Sequence, residues 1–139
     1  MVTKNENSIT VSASTENLAL IRAFVAEQAQ KNGLAEKTID EIRLAVDEAF
    51  TNIIKHAYNF DSNKKVSLKT GMENATFWIS ICDEGKPYDP GTYIEPNIPN
   101  RIKEGKRGGV GVFLIKKLMD KVEYRSFGHK NEIKLIKNL

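Results

Sequence analysis

Three groups of residues have the types and spacing for chemistry. Glu48 and Asn52 stand four apart in Ala45–Tyr58, a stretch with helical apolar spacing. At roughly 100° per residue they share one helix face, about 40° apart. Glu41 falls near them, and the face lies roughly opposite the apolar stripe. A carboxylate and a carboxamide one turn apart can hold a magnesium ion and orient an attacking hydroxyl. The second group, Asp83-Glu84-Gly85, ends the apolar run Phe77–Cys82. An aspartate at a strand end can accept a hydrogen bond from a ligand amino group, and a glycine two residues on lets a flat ring approach the backbone. The third is the cluster Gly105–Leu114, with glycines at 105, 108, 109 and 111. Glycines that open an apolar helix present backbone N–H groups and a favourable dipole to an anion. The cluster is not a P-loop, which needs Gly-Lys-Ser/Thr, nor a dinucleotide fingerprint, which needs a preceding strand. Taken singly, a solvated helix face and a plain turn outweigh the functional readings of the first two groups. A flexible hinge balances that of the third.

The elements that must position these groups follow from periodicity. Ile9, Val11 and Ala13 alternate with polar residues, predicting a short strand. Ser14 or Thr15 caps a helix to about Asn32, and Asn32-Gly33 stops it. A second helix is predicted from Glu36 to Tyr58, with Ile39, Ile42, Val46, Ala49, Phe50, Ile53 and Ala57 on one stripe. Strands near 65–71 and 75–82 form a hairpin turning at Met72-Glu73-Asn74. Residues 83–108 hold all four prolines and no regular period, the character of a binding loop. A third helix runs from 109–111 to about Asp120, and strands near 122–127 and 132–136 close the chain. The order β-α-α-β-β-loop-α-β-β predicts an α+β fold, a two-layer sandwich with a mixed, mostly antiparallel sheet.

A length of 139 residues suits one domain, 1–139, able to bury its own core. The single cysteine, Cys82, lies in an apolar run and reads as a structural thiol. With only His56 and His129 as further soft ligands, zinc is not expected. Residues 1–8 lack a signal-peptide core, and no run reaches the ~20 apolar residues of a membrane span. A soluble, cytoplasmic protein is expected. The net charge of +3 is too small to indicate nucleic acid. Residues 1–60 hold six Lys/Arg against eight Asp/Glu; residues 61–139 hold fifteen against ten. The basic excess gathers at Arg101, Lys103, Lys106 and Arg107, where an anion could be favoured.

Jointly the three groups, in this order, resemble the GHKL (Bergerat) ATP-binding fold of gyrases, heat-shock chaperones, histidine kinases and mismatch-repair ATPases. Ala45–Tyr58, Asp83–Pro90 and Gly108–Asp120 resemble more closely the bacterial anti-sigma factor serine/threonine kinase group. Pro87 stands where a second glycine is usual, His56 where histidine kinases carry a second Asn, and Asn131 near a usual Gly-Thr. The resemblance implies that Asp83 accepts from the adenine amino group, with Gly85 giving clearance and His56 at the pocket wall. Asn52 ligates Mg²⁺. Gly108, Gly109, Val110 and Gly111 face the phosphates, and Arg107 adds charge from an ATP lid at about 84–108. Glu48 orients or deprotonates a serine hydroxyl. It further implies a sigma factor and a STAS-type anti-sigma-factor antagonist as partners, and a homodimer. Two other readings are a non-catalytic ATP-binding regulatory module and the ATP-binding domain of a histidine-kinase-like protein. For the latter no dimerising phosphoacceptor helix pair is present, and His129 reads as a solvated turn residue.

Overall fold

The computed structural model describes residues 2–87 and 110–139. In chain order the elements are β1 (Val2–Lys4), β2 (Ser8–Ser12), α1 (Leu18–Lys31), α2 (Glu36–Asn52), β3 (Lys65–Glu73), β4 (Thr76–Asp83), α3 (Val110–Leu118), β5 (Lys121–Phe127) and β6 (Lys130–Asn138). The strands form one sheet in the order β1-β2-β3-β4-β6-β5. The inward rows of the sheet and the apolar faces of the helices share one core, so the α+β two-layer sandwich stands as expected.

All five strand pairings are antiparallel, where a mixed sheet was expected. The reason lies in the order of insertion. β4 and β5 run the same way, but β6 enters between them and pairs with both. Strand β1 was not anticipated. Its three residues are all exposed, so it carries no apolar alternation; it pairs with β2, and its Lys4 reaches Glu27 of α1 at 3.4 Å.

Helix α1 starts behind a short tight turn, Thr15–Asn17, where the Ser14 hydroxyl accepts from the Glu16 amide. It stops where Gly33 adopts φ +78°, while the Gly33 and Leu34 amides bond back to Gln30 and Ala29 carbonyls. Leu34 is buried beneath that turn, the usual hydrophobic partner of a left-handed cap. Helix α2 buries Ile39, Ile42, Ala45, Val46, Ala49 and Phe50, close to the expected stripe. It does not run to Tyr58 as a regular helix. After Asn52 the chain widens into a π turn, Ile53–Ala57, closed by the Tyr58 amide on the Ile53 carbonyl. Asn59 and Phe60 then take left-handed φ values of 48° and 65°. The β3–β4 hairpin turns on Asn74-Ala75, both left-handed, one residue later than expected. Two such residues match the right-handed twist of the flanking strands.

Candidate functional site

Period-two alternation places the first two site residues. On β4, Phe77, Ile79 and Ile81 face the core, and Asp83 is the next residue of the same row. On β6, Leu135 and Ile133 face the core, and Asn131 is the next in that row. The strand register pairs Asp83 with Asn131. Two polar residues thus close the apolar rows at one end of the sheet, on the helix side, with only 8% and 9% exposure.

Burying a carboxylate there requires partners. Asp83 Oδ1 accepts from the Gly85 amide and from Asn131 Nδ2, each at 2.9 Å. The same Nδ2 donates to the Gly85 carbonyl at 2.9 Å. Asn131 Oδ1 in turn accepts from the Ser126 hydroxyl of β5 at 2.8 Å. Asp83 Oδ2 has no hydrogen-bond partner among the described residues. Asn131, noted in the sequence only as a departure from Gly-Thr, is therefore a direct partner of Asp83. The period-two row Asn131-Ile133-Leu135 is the signal that could have placed it.

The turn after β4 is fastened to the end of α2. The Lys86 amide donates to the Ala57 carbonyl at 2.9 Å. A Cβ on Gly85 would lie 2.3 Å from that carbonyl oxygen. Glycine is needed here for the close approach of helix end to turn, rather than only for a ligand ring. Tyr58 adds a second tie. Its hydroxyl donates to the Lys65 carbonyl and accepts from the Glu84 amide, both at 2.7 Å.

On α2, Glu48 and Asn52 are half-buried, at the flank of the apolar stripe rather than opposite it. Neither side chain has a hydrogen-bond or ion-pair partner among the described residues. Glu41 is drawn away to Lys137, 3.9 Å distant. The neighbouring Asp47 faces α1, where Arg22 lies 3.3 Å from its Oδ2. Its Oδ1 is buried without a partner. Burial pushes the Asp47 carboxyl up, and Arg22 only partly opposes the shift. His56 lies on the π turn and is exposed.

Helix α3 packs against α2. It begins at Val110, so Val110 and Gly111 stand in its first turn, where backbone N–H groups have no partner within the helix. Lys137 Nζ bonds the Leu118 carbonyl at its other end, at 2.6 Å. Arg107, Gly108, Gly109, the basic residues 101–106 and the expected lid beyond Pro87 lie outside the described residues. The structure brings the α2 end and the Asp83–Gly85 turn into contact, and seats α3 beside α2. Among the described residues no three His, Cys, Asp or Glu gather as a metal cluster, and no helix is long and apolar enough to cross a membrane. Cys82 is half-buried, and burial raises its thiol.

Comparison with known proteins gives this geometry a family. The signature of the histidine kinase-like ATPase domain matches residues 11–137. The serine-protein kinase RsbW of Bacillus subtilis is 31% identical over 123 residues, covering 84% of this chain and 75% of that protein. The RsbW of Halalkalibacterium halodurans is 34% identical over 121 residues, covering 84% and 74%. Among solved structures, the RsbU and RsbW domains of a Mycobacterium tuberculosis protein superpose with a TM-score of 0.68 at 17% identity, over 95% of this chain and 32% of that one. The SiaB–SiaC complex of Pseudomonas aeruginosa gives 0.67 at 10% identity, over 97% and 89%. The last two share the fold. The family match and the two curated relatives show that the chain belongs to the histidine kinase-like ATPase family, among the RsbW serine-protein kinases.

Proposed function

We propose that this serine-protein kinase is an anti-sigma factor switch. It sequesters a sigma factor in one state and phosphorylates a serine on a STAS-type antagonist in another. In this reading it acts in the cytoplasm as a homodimer. ATP is the phosphoryl donor that family membership implies. The observation that carries the site is the buried Asp83 carboxylate at the sheet end fastened to α2, held through one oxygen and, among the described residues, without a partner on the other.

In this reading Asp83 Oδ2 accepts from the adenine amino group, and His56 lies at the pocket rim. Backbone amides of Gly108, Gly109, Val110 and Gly111 face the phosphates, with Arg107 adding positive charge. The residues present suit a magnesium ion. Asn52 offers a hard oxygen with no competing partner among the described residues. Magnesium takes one or two protein oxygens and otherwise phosphate and water, which a single carboxamide oxygen can serve. Such an ion, held by Asn52, would neutralise phosphate charge.

Transfer itself needs positioning and charge neutralisation more than covalent help. The serine oxygen bonds to the γ-phosphorus, the bond to the β–γ bridging oxygen breaks, and ADP leaves. Glu48 receives the hydroxyl proton, a role supported by its half-buried carboxylate on the α2 flank, which has no partner among the described residues.

The test pairs two variants with labelled ATP and antagonists encoded beside the gene. Glu48→Gln should keep ATP affinity and lose ~10²–10⁴ in transfer rate. Asp83→Asn should lose ATP binding by ~10–100-fold, the worth of one hydrogen bond to a charged group. Full-rate transfer by Glu48→Gln would remove Glu48 as the base and favour a different proton acceptor. Wild-type ATP affinity in Asp83→Asn would move the nucleotide elsewhere.

A further inference from the structure

We infer that Asn131 is a positioning residue that sets nucleobase selectivity, by presenting Asp83 to the base through a single oxygen. The inference rests on the ATP-site reading above and assigns a function to a residue of β6 outside the three motif groups.

An ionised carboxylate has two equivalent oxygens and rotates about its last torsion. Bound only by the Gly85 amide, it could turn and offer either oxygen at a range of angles. The Asn131 carboxamide removes that freedom. Its Nδ2 donates at once to Asp83 Oδ1 and to the Gly85 carbonyl, so it clamps both ends of the three-residue turn. With the Gly85 amide also on Oδ1, that oxygen is saturated, while Oδ2, which has no partner among the described residues, remains for a ligand.

The clamp works only if the amide points the right way. Reversed, Asn131 Oδ1 would face Asp83 Oδ1 and the Gly85 carbonyl, three acceptors with no proton among them. The Ser126 hydroxyl donates to Oδ1 and fixes the productive orientation from β5. Ser126, Asn131 and Asp83 are cross-strand neighbours in register, so three strands deliver one carboxylate oxygen.

A fixed acceptor discriminates. It pairs with the 6-amino group of adenine and repels the 6-oxo group of hypoxanthine, leaving both acceptors unpaired. A carboxylate free to rotate discriminates less, because it can turn away from the oxo group. Asn131 therefore acts on the ratio of ATP to ITP affinity as well as on ATP affinity alone.

The experiment measures ATP and ITP binding by calorimetry on the full chain, with thermal melting to confirm folding. Asn131→Ala should weaken ATP by about tenfold while ITP changes less, narrowing the ratio. Asn131→Asp, which sets carboxylate against carboxylate, should weaken ATP further. Asn131→Thr, whose hydroxyl can serve Asp83 but not Asp83 and Gly85 together, should recover part of the ratio. Ser126→Ala leaves the carboxamide in place and should narrow the ratio by about threefold. If Asn131→Ala fails to fold, the Thr and Ser126 variants carry the test. Folded variants that keep the wild-type ATP-to-ITP ratio overturn the inference. Asp83→Asn separates the two readings. If it loses ATP while the Asn131 and Ser126 variants keep the wild-type ratio, only the role of Asn131 falls. Wild-type ATP affinity in Asp83→Asn removes the pocket itself.

Discussion

Gly85 shows how one residue type can be legible while its reason is not. Asp-x-Gly after an apolar strand marks a turn and a possible ligand contact, and the sequence reading gave the glycine to a flat ring. The structure sets the Ala57 carbonyl against it, with the oxygen, the carbonyl carbon and Ala57 Cβ 2.3, 2.7 and 2.9 Å from where a Cβ would stand. These are mostly backbone atoms of a packed helix end, and they cannot swing aside. Gly85→Ala must therefore push the turn off α2 and strain the Lys86–Ala57 hydrogen bond. A loss of ~1–3 kcal/mol is expected in urea unfolding, the usual cost of overpacking. ATP affinity should fall with it, since Asp83 sits two residues before. Unchanged stability would mean that helix end and turn are not in contact. Asn131 makes the same point from the other side. Its residue type announced nothing, and only its place at the end of a period-two row and its register with Asp83 gave it a task.

At the scale of elements, strongly periodic segments were legible and irregular joins were not. The apolar stripe of α2, the alternation of β4 and β6 and the Gly33 stop are local patterns, and each appears where periodicity put it. The π turn after Asn52 is set by tertiary demand, because Ile53, Ile54 and Tyr58 all go inward there. No 3.6-residue pattern encodes it. The short edge strand β1 has no apolar alternation of its own and depends on pairing with β2 and on the Lys4–Glu27 contact to α1. Tyr58 holds this irregular join to both β3 and the Asp83 turn. Burial raises its phenol above the ordinary value. The Glu84 amide opposes that shift, and the charges of Asp83 and Glu84 reinforce it. It thus stays protonated at neutral pH and keeps donating to Lys65. Tyr58→Phe removes the hydroxyl and leaves the Lys65 carbonyl and Glu84 amide without it. A destabilisation of ~1–3 kcal/mol is expected, with faster hydrogen exchange at Glu84. Slow exchange at Glu84 in that variant would show that another group holds the turn.

Across the whole molecule, two carboxylates on opposite layers give stability opposite dependences on pH. On the open face of the sheet, burial pushes Glu132 up. The Ser80 hydrogen bond and the Arg125 guanidinium outweigh it, so its carboxyl lies below the ordinary 4.5. A depressed folded value contributes stability that is complete above 4.5 and lost as pH falls through that lower value. On the helix layer, burial holds Asp47 above the ordinary 3.8 despite Arg22. Its charged form costs stability above the raised value, and the cost is relieved as pH falls toward 3.8. The exposed side of the Arg22–Asp47 pair returns little, as partly solvated ion pairs do. Asp47→Ala removes a buried oxygen without a partner and places a good helix former on α2. Its melting temperature should exceed wild type by about 2 °C at pH 7, with the advantage shrinking toward pH 4. Glu132→Gln should melt lower than wild type at pH 7, and its deficit should close only below 4.5, where wild type loses the same interaction. Melting curves of the three proteins between pH 8 and 3 decide the matter. If Asp47→Ala is the less stable at pH 7, the Arg22 pair outweighs the burial of the charge, and the sign assigned to the helix layer is reversed.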